Sequence, residues 1–192
     1  MDVGLFVGRS WLSRPDNEFN GLFTRVSRNA GEVVCVYEGT VIRTAEALKI
    51  QDKSYLMRIG EQCYIDARLP YKREEEPEGS QRECIARYIN DSINPAGYNV
   101  RFDKEPDNLP YARALVVALR DIEPGEELFV SYGKKYWEGS DLRSFRIPFM
   151  QLHLARTAAI EAAKLVQEPE SREEEEEKRE DKASVSTTLN QS

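Results

Sequence analysis

The sequence predicts a mainly β domain with a minor α component, followed by a helix and an acidic tail. Three observations carry this. Short β-branched or apolar runs recur between turn residues across residues 16–138. The same stretch holds one brief helical signal, TAEALK from Thr44 to Lys49. From Phe149 the texture changes to an Ala- and Leu-rich segment that lacks Gly and Pro.

Residues 1–15 form an N-terminal lead that includes Trp11. Glu32 to Ile42 (EVVCVYEGTVI) is β-branched and partly alternating, which predicts a strand. SYLMRI from Ser54 to Ile59 is a second. Gly60-Glu61-Gln62 turns the chain, and CYID from Cys63 to Asp66 returns as its hairpin partner. Tyr71 to Glu83 is highly charged and reads as a loop or a frayed helix. Ala112 to Leu119 is a continuous apolar run, the pattern of a buried strand. Pro124-Gly125 marks a turn, and LFVSY from Leu128 to Tyr132 reads as the strand after it.

Residues 139–168 form a helical extension, with the helix over Phe149 to Gln167. His153, Thr157, Glu161 and Lys164 make one polar stripe at helical spacing. The rest of that helix is apolar and needs a partner, either the preceding domain or the same helix of a second chain in a homodimer. Residues 169–192 are an acidic tail expected to be disordered.

Composition excludes several classes. The net charge is −7, but Glu168 to Lys182 carries nine acids and four bases, so the body is nearly neutral. No basic stripe suggests sequence-specific nucleic-acid binding. No apolar run approaches the ~18 residues of a membrane span. The N-terminus has no basic region ahead of its apolar residues, so it does not read as a secretory signal. Three cysteines without a CxxC pair fit a reducing compartment, and one histidine excludes a multi-histidine metal site. Cys35 and Cys63 fall in predicted strands and read as small hydrophobes.

Three segments stand out in order: NGLFTR (Asn20 to Arg25), RYINDSINP (Arg87 to Pro95) and GEELFVSYGKKYW (Gly125 to Trp137), with YIDA (Tyr64 to Ala67) ahead of the second. Together they resemble the SET domain of protein-lysine methyltransferases, over roughly residues 16–138. The resemblance implies a β-clip fold of several small curved sheets, in which a late segment threads a loop made by an earlier one. It implies S-adenosylmethionine as cofactor and a lysine-bearing protein as substrate, histone tails being the leading class. It also implies a nuclear or cytoplasmic location.

The residue roles come from matching positions. Tyr132 is the central catalytic tyrosine. Asn20, Gly21, Leu22 and Phe23 hold the cofactor through their backbone. Arg87 lies close to the cofactor, Asn90 binds its methionine moiety, and Asp91 contacts it mainly through its backbone. Trp137 is placed against the adenine. Tyr55, Tyr98 and Val130 are assigned to the substrate-lysine channel, and the small Val130 leans the product toward di- or trimethyl-lysine. As isolated residues, Tyr55, Tyr64 and Tyr98 read as core or loop aromatics sooner than as catalytic groups.

The chemistry of methyl transfer suits these residue types. The attacking lysine must be neutral, and an apolar aromatic channel lowers its pKa. Alignment contributes through proximity, and carbonyls and a tyrosine hydroxyl stabilise the shifting positive charge. No metal is required.

The chain also departs from the family pattern. Asp91 replaces histidine in the usual NHS, and Ile93 replaces the cysteine that comes next in the motif. Phe19 stands at the first glycine of GxG, and Ala96 stands where an asparagine is expected after Pro95. No cysteine-rich segment comes after Tyr132, so the zinc-binding post-SET module is absent. The helical extension is expected to pack near the pockets in its place. These departures leave two alternatives: a methyltransferase for a non-histone protein, or an inactive SET-like binding or scaffold module.

Overall fold

The computed structural model describes residues 4–72, 76–105, 112–138 and 150–165. Their architecture is three small antiparallel sheets with few helices, and a C-terminal helix packed on them. The mainly β class and the small-sheet β-clip are therefore as the sequence implied.

The first sheet pairs β1 (Leu5–Arg9) with β2 (Asn20–Thr24), so the segment expected as a lead supplies a strand. The second has the order β3 (Val33–Tyr37), β8 (Arg113–Ala118), β7 (Val100–Glu105). The third has the order β4 (Thr40–Arg43), β6 (Cys63–Asp66), β5 (Leu56–Arg58). β8 is flanked on both sides, and Ala114, Val116 and Ala118 are almost fully buried, which explains its uninterrupted apolar run. β5 and β6 pair Met57 with Ile65 across the predicted turn.

The single strand predicted over Glu32 to Ile42 divides into β3 and β4, which belong to different sheets. The break falls at Gly39, where any side chain would collide with the Asp66 carbonyl of β6. Tyr37 ties the two sheets together: its hydroxyl donates to the Tyr55 carbonyl at 2.9 Å, and its ring meets Phe102 edge-on at 5.6 Å. The helical signal yields one turn, α1 (Thr44–Ala47), in which Glu46 accepts from the Arg43 N–H.

The stretch Leu128 to Tyr132 is not a regular strand. It runs between β2 and the segment at Asn90 and makes only single bridges. Phe23 bridges Glu127 in antiparallel sense, and Asn90 bridges Phe129 in parallel sense. Leu128 N donates to Leu22 O at 2.7 Å, and Val130 N donates to Asn90 O at 3.0 Å. The stretch pairs antiparallel on one side and parallel on the other, at a single point with each neighbour.

The C-terminal helix, α2, covers residues 150–165 of the described chain. The predicted ends at Phe149 and Gln167 and the acidic tail lie outside the described residues. His153, Thr157, Glu161 and Lys164 are exposed, as the polar stripe predicts. Leu152 is buried against Phe129, with Trp11, Leu12 and Tyr98 around it. Gly125 has φ +86° and lies so near that a Cβ there would sit 2.8 Å from Ala159 O. Met150, Leu154 and Leu165 remain exposed.

Candidate active site

Threading brings three segments to one joint, and Glu127 is its centre. Ser10 Oγ donates to Glu127 Oε1 at 2.6 Å, Asn90 Nδ2 to the same oxygen at 3.2 Å, and Trp11 N to Oε2 at 2.6 Å. Asn90 Nδ2 also donates to Asn20 O at 2.9 Å. Gly21 packs so closely that a side chain would strike the Glu127 carboxylate. Asn20 is exposed, whereas Gly21, Leu22 and Phe23 are buried. Phe19, at the missing first glycine, keeps the turn through other bonds: Ser10 N donates to Phe19 O, and Phe19 N donates to Ser13 Oγ.

The second cluster is organised by Asp91, which is 6% exposed. Its Oδ1 accepts from Ile93 N at 2.7 Å and the Tyr98 hydroxyl at 2.8 Å. Its Oδ2 accepts from Tyr132 N at 2.9 Å and Trp137 Nε1 at 2.8 Å. The Asp91 side chain is thus committed within the protein, which leaves its backbone for a ligand. Ile93 sits at φ 53°, a left-handed conformation rare for a β-branched residue, held by its bond to Asp91.

Tyr132 donates its hydroxyl to Ile89 O at 2.7 Å. Its ring lies parallel to Trp137 at 6.1 Å and edge-on to Tyr136 at 4.7 Å. Burial, with Tyr136 and Asp91 nearby, pushes the Tyr132 phenol far above its usual range. It is therefore held as a neutral hydroxyl. Burial and the bond to Asp91 push Tyr98 up to about 12.

The three residues assigned to the lysine channel pack in two apolar clusters, and Asp91 links Tyr98 to the Tyr132 backbone. Val130 is buried in the main core, against which Tyr55 and Tyr132 pack. Tyr98 instead packs against Phe129 and Leu152 beneath α2. Arg87 lies with Tyr55: its guanidinium is 4.7 Å from that ring and 5.3 Å from Tyr88, and Nη1 donates to Arg68 O at 2.9 Å.

Several residues escape a reading of the sequence. Glu126, the neighbour of Glu127, is 1% exposed and points the other way along the chain, toward α2. Arg120 and Arg156 each grip it with two bonds of 2.7 and 3.1 Å. Burial opposes its charge, but the two guanidiniums hold its pKa below the usual carboxylate value. Asn99 clamps the threaded segment: its Nδ2 donates to Glu127 O at 2.8 Å, and Phe129 N donates to its Oδ1 at 2.7 Å. Ala96 offers no side-chain amide at the expected position, and a buried asparagine stands three residues later. Tyr136 completes the ring cluster. Adjacent glutamates after a Pro-Gly turn read as surface charge, and only the partners reveal them as buried.

A segment threaded past Asn90 and ending at a neutral Tyr132 is the arrangement that the sequence resemblance implies. The SET domain family is matched across residues 20–133, and the chain belongs to that family. It is similar to the human histone-lysine N-methyltransferase EHMT1, 31% identical over 56% of this chain and 8% of that protein. It is also similar to an Emericella nidulans histone-lysine N-methyltransferase named as H3 lysine-4 specific, 31% identical over 67% of this chain and 10% of that protein. The chain therefore spans about a tenth of the length of these curated relatives. Among solved structures, a humanized mutant of the Chaetomium thermophilum Polycomb Repressive Complex 2 bound to the inhibitor GSK126 matches with a TM-score of 0.50. It is 26% identical, over 67% of this chain and 15% of that one.

Proposed function

We propose that this chain is an S-adenosylmethionine-dependent protein-lysine N-methyltransferase, with histone tails as its leading substrate class. The observation that carries the reading is the threading of residues 127–130 between β2 and Asn90, which sets Tyr132 and Asn90 at one joint. The names of the related proteins support the same activity. The residues fit the cofactor chemically. Asn20 and Asn90 offer amide and carbonyl groups, Glu127 lies behind them, and Trp137 offers a flat ring for the adenine. When bound, S-adenosylmethionine supplies an electrophilic methyl group.

The protein's own residues do the rest. The Asn20 to Phe23 backbone, Arg87, Asn90, the Asp91 backbone and Trp137 hold the cofactor. Tyr55, Tyr98, Tyr132 and Val130 border the lysine. A free lysine has a pKa of about 10.4, and this aromatic wall disfavours its ammonium form. The Arg87 guanidinium against Tyr55 acts in the same direction by repelling a second cation. The Tyr132 hydroxyl, protonated and bonded to Ile89 O, orients carbonyl and hydroxyl dipoles toward developing charge. α2 docks on the domain through Leu152 and Arg156, which supports a role for it in place of a zinc module.

Calorimetry with S-adenosylmethionine tests the first half of the proposal, and a labelled-methyl assay on core histones and on a cell lysate tests the second. Absence of binding up to millimolar cofactor overturns the enzyme reading in favour of a scaffold. Labelling confined to non-histone proteins in the lysate reassigns the substrate.

A further inference from the structure

Glu127 is fully buried, yet the three groups bonded to it are neutral: Ser10 Oγ, Trp11 N and Asn90 Nδ2. Its carboxylate touches the β1–β2 turn, the glycine of β2 and the Asn90 segment at once. The last two belong to the proposed cofactor site, so a role for Glu127 in binding rests on the proposed function. We infer that Glu127 is a positioning residue for the cofactor site, and that cofactor binding is coupled to loss of its proton.

The two protonation states demand different arrangements. An ionised carboxylate accepts from all three donors. A protonated one must place its own hydrogen, and Ser10 Oγ at 2.6 Å is the acceptor beside it. Ser10 then turns its hydrogen away, and the oxygen shared with Asn90 holds that amide less firmly. S-adenosylmethionine carries net positive charge and favours the anion. Burial raises the Glu127 pKa to about 7, against the opposing pull of Ser10, Trp11 and Asn90, so both forms are populated near neutrality in the free protein.

The surrounding charges do not replace this switch. From the 89–91 segment, Asp91 is committed to Tyr98, Tyr132 and Trp137. From its own segment, Glu126 is neutralised by Arg120 and Arg156, and Tyr132 stays protonated. From α2, His153 and Arg156 line with Arg120 and Glu127 a cleft of about 130 Å³. All of these persist in Glu127→Gln, so the difference between the two proteins isolates the carboxylate.

Calorimetry of S-adenosylmethionine binding to the full chain at about pH 6, 7 and 8, in buffers of differing ionisation enthalpy, is the test. Wild-type affinity should rise about tenfold from pH 6 to 8 beyond any change in Glu127→Gln, with matching proton release. The ligand's own amino group titrates nearby, but it does so with both proteins and cancels in the difference. In the ligand-free protein the Trp11 and Gly21 amide resonances should titrate with a midpoint near pH 7. Should Glu127→Gln fail to fold, Ser10→Ala keeps the carboxylate, removes a donor to its anion and should move that midpoint upward. Equal pH dependence in wild type and Glu127→Gln, or amides that do not titrate, overturns the inference and leaves the proposed function standing. No binding at any pH removes both.

Discussion

Asp91 holds Trp137 by an indole-to-carboxylate hydrogen bond of 2.8 Å, and the same Oδ2 fixes the Tyr132 backbone. A residue that departs from the family's histidine thus fastens the segment after the central tyrosine to the loop that the thread crosses.

Removing that anchor should be costly. Asp91→Ala strands four donors in a nearly buried site, each worth about 1–3 kcal/mol when unsatisfied, with water relieving part of the loss. Urea unfolding should show a destabilisation of roughly 2–4 kcal/mol. Trp137 fluorescence should shift to the red as the indole loses its partner. An unchanged midpoint and spectrum would show that the contacts are incidental.

Ile93 should tolerate glycine. Its left-handed φ carries strain of about 1–2 kcal/mol for a β-branched residue, which glycine relieves. The entropy glycine loses on folding and the lost half-buried contacts offset that relief, so Ile93→Gly should change stability by less than about 1 kcal/mol. Destabilisation beyond that amount in a thermal melt would mean that packing, not strain, governs the position.

Arg156→Ala tests the docking of α2. Glu126 keeps Arg120 but loses a two-bond partner, so a penalty of roughly 1–3 kcal/mol is expected. Truncation after Ser144 removes Leu152 as well and should destabilise the chain further or abolish activity, whereas truncation after Pro169 should do neither. A chain cut after Ser144 with full stability and turnover would contradict the packing of the helix.

Glu127 sets a pH dependence whose sign is the reverse of a salt-bridged acid. Its folded pKa is raised to about 7, so the native state binds the proton more tightly than the unfolded chain. Its contribution is present below about pH 4.5 and is lost as pH rises through 7, a swing of up to about 3 kcal/mol. Glu127→Gln should flatten denaturation midpoints between pH 5 and 8. The same ionisation that costs stability is the one the cofactor favours.

The parts of this fold that depend on local pattern are legible in the sequence. The β5–β6 hairpin comes from two short runs around Gly60-Glu61-Gln62, and β8 from its continuous apolar residues. β7 is not legible, because Val100 to Glu105 alternates charge with half-buried side chains and has no turn of its own. The break at Gly39 depends on the approach of Asp66 from another strand, which no local pattern records. The meeting of the Asn90 and Tyr132 segments is legible because a motif fixes both positions. The bond of Tyr98 to Asp91 and its packing on Leu152 are not legible, because both partners come from other segments. The core-facing side of α2 is obscured by Arg156, whose partner Glu126 lies 30 residues away.

Transfer of an isotope-labelled methyl group from S-adenosylmethionine to lysine, read by mass spectrometry on core histones and on a lysate, tests the central claim most directly. Wild type should label lysine side chains, and Tyr132→Phe should lose about 10- to 1000-fold in turnover while it still folds and binds the cofactor, its stability lower by about 1–3 kcal/mol for the lost bond to Ile89 O. Cofactor binding without lysine labelling in either sample, or wild-type turnover by Tyr132→Phe, would contradict the account.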